Sequence, residues 1–209
     1  MSDLKDTLEE GAILKEVYFE DEDSQGAFAI SVVENPAIEE DFLFLSEQGE
    51  EDMQEVDAEK RLLMGAALVP NKAILRMDSE GKPYYIYFSK ETIRKMSEKY
   101  LIDGNQANTT LGHAVKLSDL TIVESWIIED ETHDKSKKYN LSLPVGTWMV
   151  SMKVLNDEIW NDFVKTKKVK GFSIEASLSS RVELQEDRDM AMLLNVINEI
   201  GEIEGNKEW

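Results

Sequence analysis

Two short stretches carry the residue types from which this chain could build a nucleophilic site. One is Val169-Lys170-Gly171-Phe172-Ser173-Ile174-Glu175-Ala176-Ser177, and the other is Leu111-Gly112-His113. A serine hydroxyl attacks a carbonyl carbon when a base about 3 Å away takes its proton and a further group orients that base. The chain has 2 histidines, His113 and His133. His113 follows Gly112 in a polar loop that leads into a strand, where a side chain can overhang a neighbouring strand, so it is the better base. His133 sits in Glu129-Asp130-Glu131-Thr132-His133-Asp134-Lys135 and reads as a solvated surface residue. Three carboxylates could orient His113: Glu124, Glu175 and Asp119. Glu124 stands inside an otherwise apolar strand, Ile122-Val123-Glu124-Ser125-Trp126-Ile127-Ile128. A carboxylate there costs free energy unless it is paired or faces solvent, and an outward position on a one-sided sheet explains it equally well.

Other chemistries have less to build on. With 0 cysteines there is no disulfide framework, thiol nucleophile or cysteine-ligated metal. No glycine-rich phosphate loop is present. Glu20, Asp21, Glu22 and Asp23 lack the spacing and glycine of a calcium loop. Trp126, Trp148 and Trp160 fall on core positions of strands or a helix. No metal, magnesium included, and no organic cofactor is implied.

The elements that must position these residues follow from the hydropathy pattern. Gly26 to Val33 reads as a buried strand closed by Asn35-Pro36. Residues 62–69, 73–77 and 84–88 are strand candidates, with a turn at 78–82. Ser89 is a plausible N-cap for a helix with Ile93, Met96, Tyr100 and Leu101 on its apolar face, ended by Gly104. Two more strands are expected at 121–128 and 146–155. Asn156 should cap a short helix with Ile159, Trp160, Phe163 and Val164 inward. After Gly171, Phe172 to Leu178 forms a last strand, whose alternation puts Phe172, Ile174 and Ala176 on one face and Ser173, Glu175 and Ser177 on the other. Strands outnumber helices without strict alternation, so the expected class is α+β, a mainly antiparallel sheet or barrel with inserted helices.

Charge divides the 209 residues into three parts. The net charge of −20 is concentrated in residues 1–60, with 20 acids and 3 bases, and in 182–209, with 8 acids and 2 bases. Residues 61–181 are close to neutral. The expected organisation is an acidic N-terminal extension over 1–25, a folded domain over 26–181 with an acidic linker at 46–60, and an acidic C-terminal helix or tail over 182–209. The acidic ends suit solubility or a partner. This balance does not favour nucleic acid, which needs a concentrated basic face; the cluster Lys165, Lys167, Lys168 and Lys170 follows a helix end, where lysines suit the dipole. The first residues lack the pattern of a signal peptide, and no apolar stretch approaches the roughly 18 residues of a membrane span. A soluble, cytoplasmic protein is expected.

In combination, Leu111-Gly112-His113, Leu120-Thr121-Ile122-Val123-Glu124-Ser125-Trp126-Ile127, Pro144-Val145-Gly146-Thr147-Trp148-Met149-Val150 and Val169-Lys170-Gly171-Phe172-Ser173-Ile174-Glu175 resemble the phage prohead serine proteases. These capsid-maturation enzymes are related in fold to the herpesvirus assemblin proteases, and the similarity spans roughly residues 26–178. The resemblance implies an assemblin-like fold and a serine endopeptidase that cleaves scaffold and capsid-protein extensions, and finally itself, inside the assembling prohead in the host cytoplasm. His113 would be the general base, Ser173 the nucleophile, and backbone donors would hold the oxyanion. Its partners would be the scaffold, the major capsid protein and further copies of the chain, and the acidic ends would dock on scaffold or be removed during maturation.

Assemblin-type sites use a second histidine after the serine, and none follows Ser173 here. An acid then takes that role, or the site runs as a dyad; Glu124 is the first choice, because related prohead proteases carry a glutamate in that strand, and Glu175 the second. The segment Ile30-Ser31-Val32-Val33-Glu34-Asn35-Pro36-Ala37 is similar to one that comes after the serine strand in other prohead proteases. Here it comes first, as in a circular permutation, which puts the usual third position near Ser31. The other reading is a non-catalytic scaffolding or structural protein of the procapsid that retains the protease fold; a binding module unrelated to phage is a weaker third.

Overall fold

The computed structural model describes residues 12–45 and 60–182. The expected C-terminal helix lies outside the described residues, as does the expected linker apart from Lys60. The described chain contains strands β1 (Leu14–Tyr18), β2 (Gly26–Val33), β3 (Leu43–Leu45), β4 (Leu62–Leu68), β5 (Ile74–Met77) and β6 (Pro83–Phe88). Helix α1 (Lys90–Ile102) separates these from β7 (Thr109–Leu111), β8 (Val115–Leu117), β9 (Leu120–Ile127) and β10 (Trp148–Val154). A short helix α2 (Asp157–Ile159) continues into a π-helical turn (Trp160–Val164) before β11 (Gly171–Ser177) and β12 (Ser179–Val182).

The strands form three four-stranded sheets, ordered β12-β1-β6-β5, β3-β4-β10-β9 and β11-β2-β7-β8. Pairing is mainly antiparallel, but β1 runs parallel to β6 and β2 parallel to β7. The body is thus mostly sheet with few helices. A closed barrel, one form the sequence allowed, is not what the described strands make, because each sheet ends on two edges.

One apolar cluster joins the three sheets. Inner strands read as near-continuous hydrophobic runs because both their faces are covered. That explains β10, whose Trp148, Met149, Val150 and Met152 are all fully buried between β4 and β9. Helix α1 closes one side of this cluster. The Ser89 hydroxyl accepts the Thr92 N–H at 3.3 Å and caps it. Ile93, Met96 and Tyr100 are fully buried, and the Tyr100 ring meets Trp148 edge-on at 5.5 Å. Leu101, expected on the same face, is instead 38% exposed, since one residue past Tyr100 turns the side chain about 100° away. Asn156 caps α2 by accepting the Ile159 N–H at 3.0 Å.

The first 25 residues hold more structure than their charge suggested. Strand β1 is an inner strand, with β12 on one side and β6 on the other. Its polar residues are used across strands: Glu16 takes the Arg181 guanidinium at 2.5 Å, and the Lys15 ammonium lies 4.3 Å from the Tyr84 ring centre.

Candidate active site

The sheet β11-β2-β7-β8 gathers the residues of interest. Ser173 on β11 is paired with Ser31 on β2, and Ser31 with Thr110 on β7. Directly paired residues point to the same face, so three hydroxyls form a row across adjacent strands. Glu175 shares the face of Ser173 by alternation and is opposite Ala29. The methyl side chain of Ala29 leaves β2 low at that point, and the Glu175 carboxylate spans it. Glu175 Oε1 accepts the Thr110 hydroxyl on the far strand and lies 3.3 Å from His113 Nδ1.

A tight turn between β7 and β8 delivers His113. The Ala114 N–H donates to the Leu111 carbonyl at 3.1 Å, and the two central residues, Gly112 and His113, have φ of 56° and 60°. Such left-handed pairs match hairpin twist, but a histidine there carries some backbone strain. Two bonds to β2 hold it: Gly112 N–H donates to the Val32 carbonyl at 3.1 Å, and His113 N–H donates to Ser31 Oγ at 3.0 Å. Ser31 is fully buried, and its hydroxyl lies 3.3 Å from the Thr110 carbonyl, to which it donates.

A carboxylate can only accept, so the proton between His113 and Glu175 resides on Nδ1. Nε2 then presents its lone pair, the arrangement a general base requires. The His113 side chain is 43% exposed and that of Glu175 20%. Ser173 is half-buried, and its hydroxyl has no hydrogen-bond partner among the described residues. The structure therefore brings His113 and Glu175 together on the face that carries Ser173.

Glu124 lies elsewhere. It is on β9, in the sheet β3-β4-β10-β9, where it accepts Lys135 Nζ and the Ser151 hydroxyl. The Lys135 ammonium, then the Ser151 hydroxyl, holds its carboxyl below the usual glutamate range. The same ammonium lies 5.1 Å from the Trp126 ring centre. Asp119 is exposed in the turn before β9. His133 is exposed, with Nδ1 2.9 Å from Asp130 Oδ2; bonds from the Thr132 hydroxyl and N–H, and then from His133, hold the Asp130 carboxyl well below its usual range. Among the described residues, no group of three histidine or carboxylate side chains is placed to hold a metal ion.

Thr110 is a site residue that the motifs do not single out; its signal is the alternation Thr109-Thr110-Leu111, which sets Thr109 in the buried layer and Thr110 on the hydroxyl face. Ser173 also borders a pocket along the free edge of β11, walled by Ile38, Ile74, Phe88 and Phe172 and by the half-buried Arg76 of β5.

Among curated proteins and among solved structures, no match to this chain was found. A family model does match, over residues 51–183. That span holds His113, Ser173 and Glu175, while β2 with Ser31 precedes it. On this match the chain belongs to the family described as "Putative phage serine protease XkdF".

Proposed function

We propose that this chain is a serine endopeptidase of prohead maturation, with Ser173 as nucleophile, His113 as general base and Glu175, rather than Glu124, as the group that orients the base. The observation that carries this reading is the 3.3 Å approach of His113 Nδ1 to Glu175 on the face of the strand that bears Ser173. In the acylation step His113 Nε2 takes the Ser173 proton as Oγ bonds to the scissile carbonyl carbon. Collapse breaks the C–N bond, and the same proton passes to the leaving amine. Water, deprotonated by His113, then hydrolyses the ester. Glu175 stabilises the imidazolium in both steps without itself taking the proton.

The substrates in this reading are the scaffold and capsid-protein extensions, with self-cleavage, inside the assembling prohead in the host cytoplasm. Family membership and a mostly-sheet body with inserted helices support it, and an assemblin-like arrangement is part of the proposal. So is the permuted order, because residues 30–33 lie beside the serine strand although they precede it in sequence.

A fluorophosphonate probe tests the chemistry on the full chain. Labelling of wild type that disappears in Ser173→Ala and falls in His113→Ala is the expected result. Co-expression with the cognate scaffold and major capsid protein tests the substrates, with cleavage products expected for wild type alone. A folded, particle-incorporated wild type that neither labels nor cuts would favour the scaffolding reading.

A further inference from the structure

We infer that the pocket beside Ser173 receives an acidic side chain of the peptide substrate, gripped by Arg76. This rests on the protease reading and adds its specificity. Arg76 occupies β5, an edge strand, where alternation puts it on the face of the buried Ile74, and both residues line the pocket that Ser173 borders. The pocket is a small recess open to solvent, with about 20 Å³ of room for the centre of a water-sized sphere, enough for the tip of one side chain and not for a larger ligand.

Arg76 is incompletely used by its own fold. Its guanidinium carries five donors, and the bond it makes is from Nη1 to the neighbouring Leu75 carbonyl at 2.9 Å. No described carboxylate lies within ion-pairing distance. Burial pulls the Arg76 pKa below the ordinary arginine value, against a smaller opposing effect of Tyr84. A guanidinium half out of water with donors unspent is a costly arrangement that an incoming anion relieves. Arginine's planar fork matches a carboxylate with two parallel bonds. The walls of Ile38, Ile74 and Phe88 lower the local dielectric, which strengthens that pair over its worth in open water. An amide of the same shape brings one acceptor and no charge, so the pocket separates Glu from Gln by charge rather than by size.

The strand order supports an extended substrate here. Ser173 lies on β11, whose outer edge has no strand partner among the described residues. A peptide aligned with a free edge sends alternate side chains to one side, which lets one reach Arg76 while its backbone passes Ser173. The chain's own segment 46–59, with 7 acids, offers side chains of the required chemistry.

Two measurements test this on the full chain. In the first, arginine-labelled protein is titrated with acetyl-glutamate methylamide, acetyl-glutamine methylamide and acetyl-alanine, while the Arg76 Nε–H signal is followed by NMR. A saturable shift with the blocked glutamate, absent with the glutamine, is expected. Equal shifts, no shift, or tighter binding of acetyl-alanine, whose carboxylate is a chain terminus, would overturn the inference.

In the second, a peptide library is digested and the cut sites are read by mass spectrometry. Wild type should favour Glu or Asp at one fixed position from the cut bond, by about 10- to 100-fold over the amides. Arg76→Gln should erase the preference and Arg76→Glu should turn it towards Lys and Arg. A wild type without acidic preference, or an Arg76→Glu chain that keeps it, would sink the idea. Glutamate-selective binding in a chain that cuts nothing would count against the protease reading and leave the preference of the pocket standing.

Discussion

The Ser31 hydroxyl accepts the His113 N–H while it donates to the Thr110 carbonyl, so one small buried side chain sets the height of the histidine turn. Ser31→Ala leaves that N–H without its acceptor, and we expect a loss of about 1–2 kcal/mol in urea unfolding. In the proposed mechanism Ser31 positions His113, so kcat should fall while KM holds. In the same proposed mechanism Glu175→Gln acts directly on His113: an amide can donate to Nδ1 and favour the wrong tautomer, so kcat should drop about 100- to 10,000-fold with stability nearly unchanged.

The same measurement on Glu124→Gln separates the two carboxylates, since kcat should be unaffected there. The Glu124 contribution to stability runs through Lys135 and Ser151, which lower its folded pKa. It is therefore fully present above the unfolded glutamate pKa and is lost as pH falls through the lowered folded value. Lys135→Met should move that loss to higher pH and cost under about 1 kcal/mol at neutral pH, because the pair is exposed. A pH series of thermal melts checks both the sign and the size.

At the scale of elements, the serine strand owes its position to a glycine. A Cβ at Gly171 would come within 2.6 Å of Pro36 Cγ and 2.7 Å of the Glu40 carbonyl oxygen. Residues 36–42 also bind this strand's start through the Phe42 N–H, which donates to the Lys170 carbonyl at 2.6 Å. Gly171→Ala must push this backbone aside, at a cost of about 1–3 kcal/mol, two residues before Ser173. A lower melting temperature together with lost fluorophosphonate labelling is the expected outcome. Unchanged labelling would show that β11 is not held from this side.

Elements with a strong period were legible in the sequence: β2, α1 and β10 stand within a residue or two of where the pattern put them. The three-residue strands β7 and β8 are too short to show a period, and β1 hides its burial behind Lys15 and Glu16, whose partners lie on other strands. Alternation along β11 put Glu175 on the face of Ser173. Whether Glu124 or Glu175 meets His113 depends on which strands share a sheet, and the parallel pairing of β2 with β7 joins segments almost 80 residues apart. No local pattern encodes that pairing.

For the whole molecule, the acidic N-terminal region is part of the architecture. Deleting residues 1–25 takes β1 out of the middle of β12-β1-β6-β5 and leaves β6 and β12 without a shared neighbour. We expect a lower, broader thermal transition, measured by circular dichroism. A truncated chain that melts and cuts like wild type would show that this sheet is dispensable.

The strands before residue 46 are distributed one to each sheet: β1 inside the first, β3 on the edge of the second and β2 inside the third. A break in the peptide chain between 46 and 59 would therefore not separate a domain from a tail. The two pieces would stay laced by backbone pairing in three places, with the serine and histidine strands still docked on opposite sides of β2. Two polypeptides, one ending and the other beginning in that interval, should find each other and rebuild the site when expressed from separate genes, and an enzyme that nicks itself there would survive its own cut.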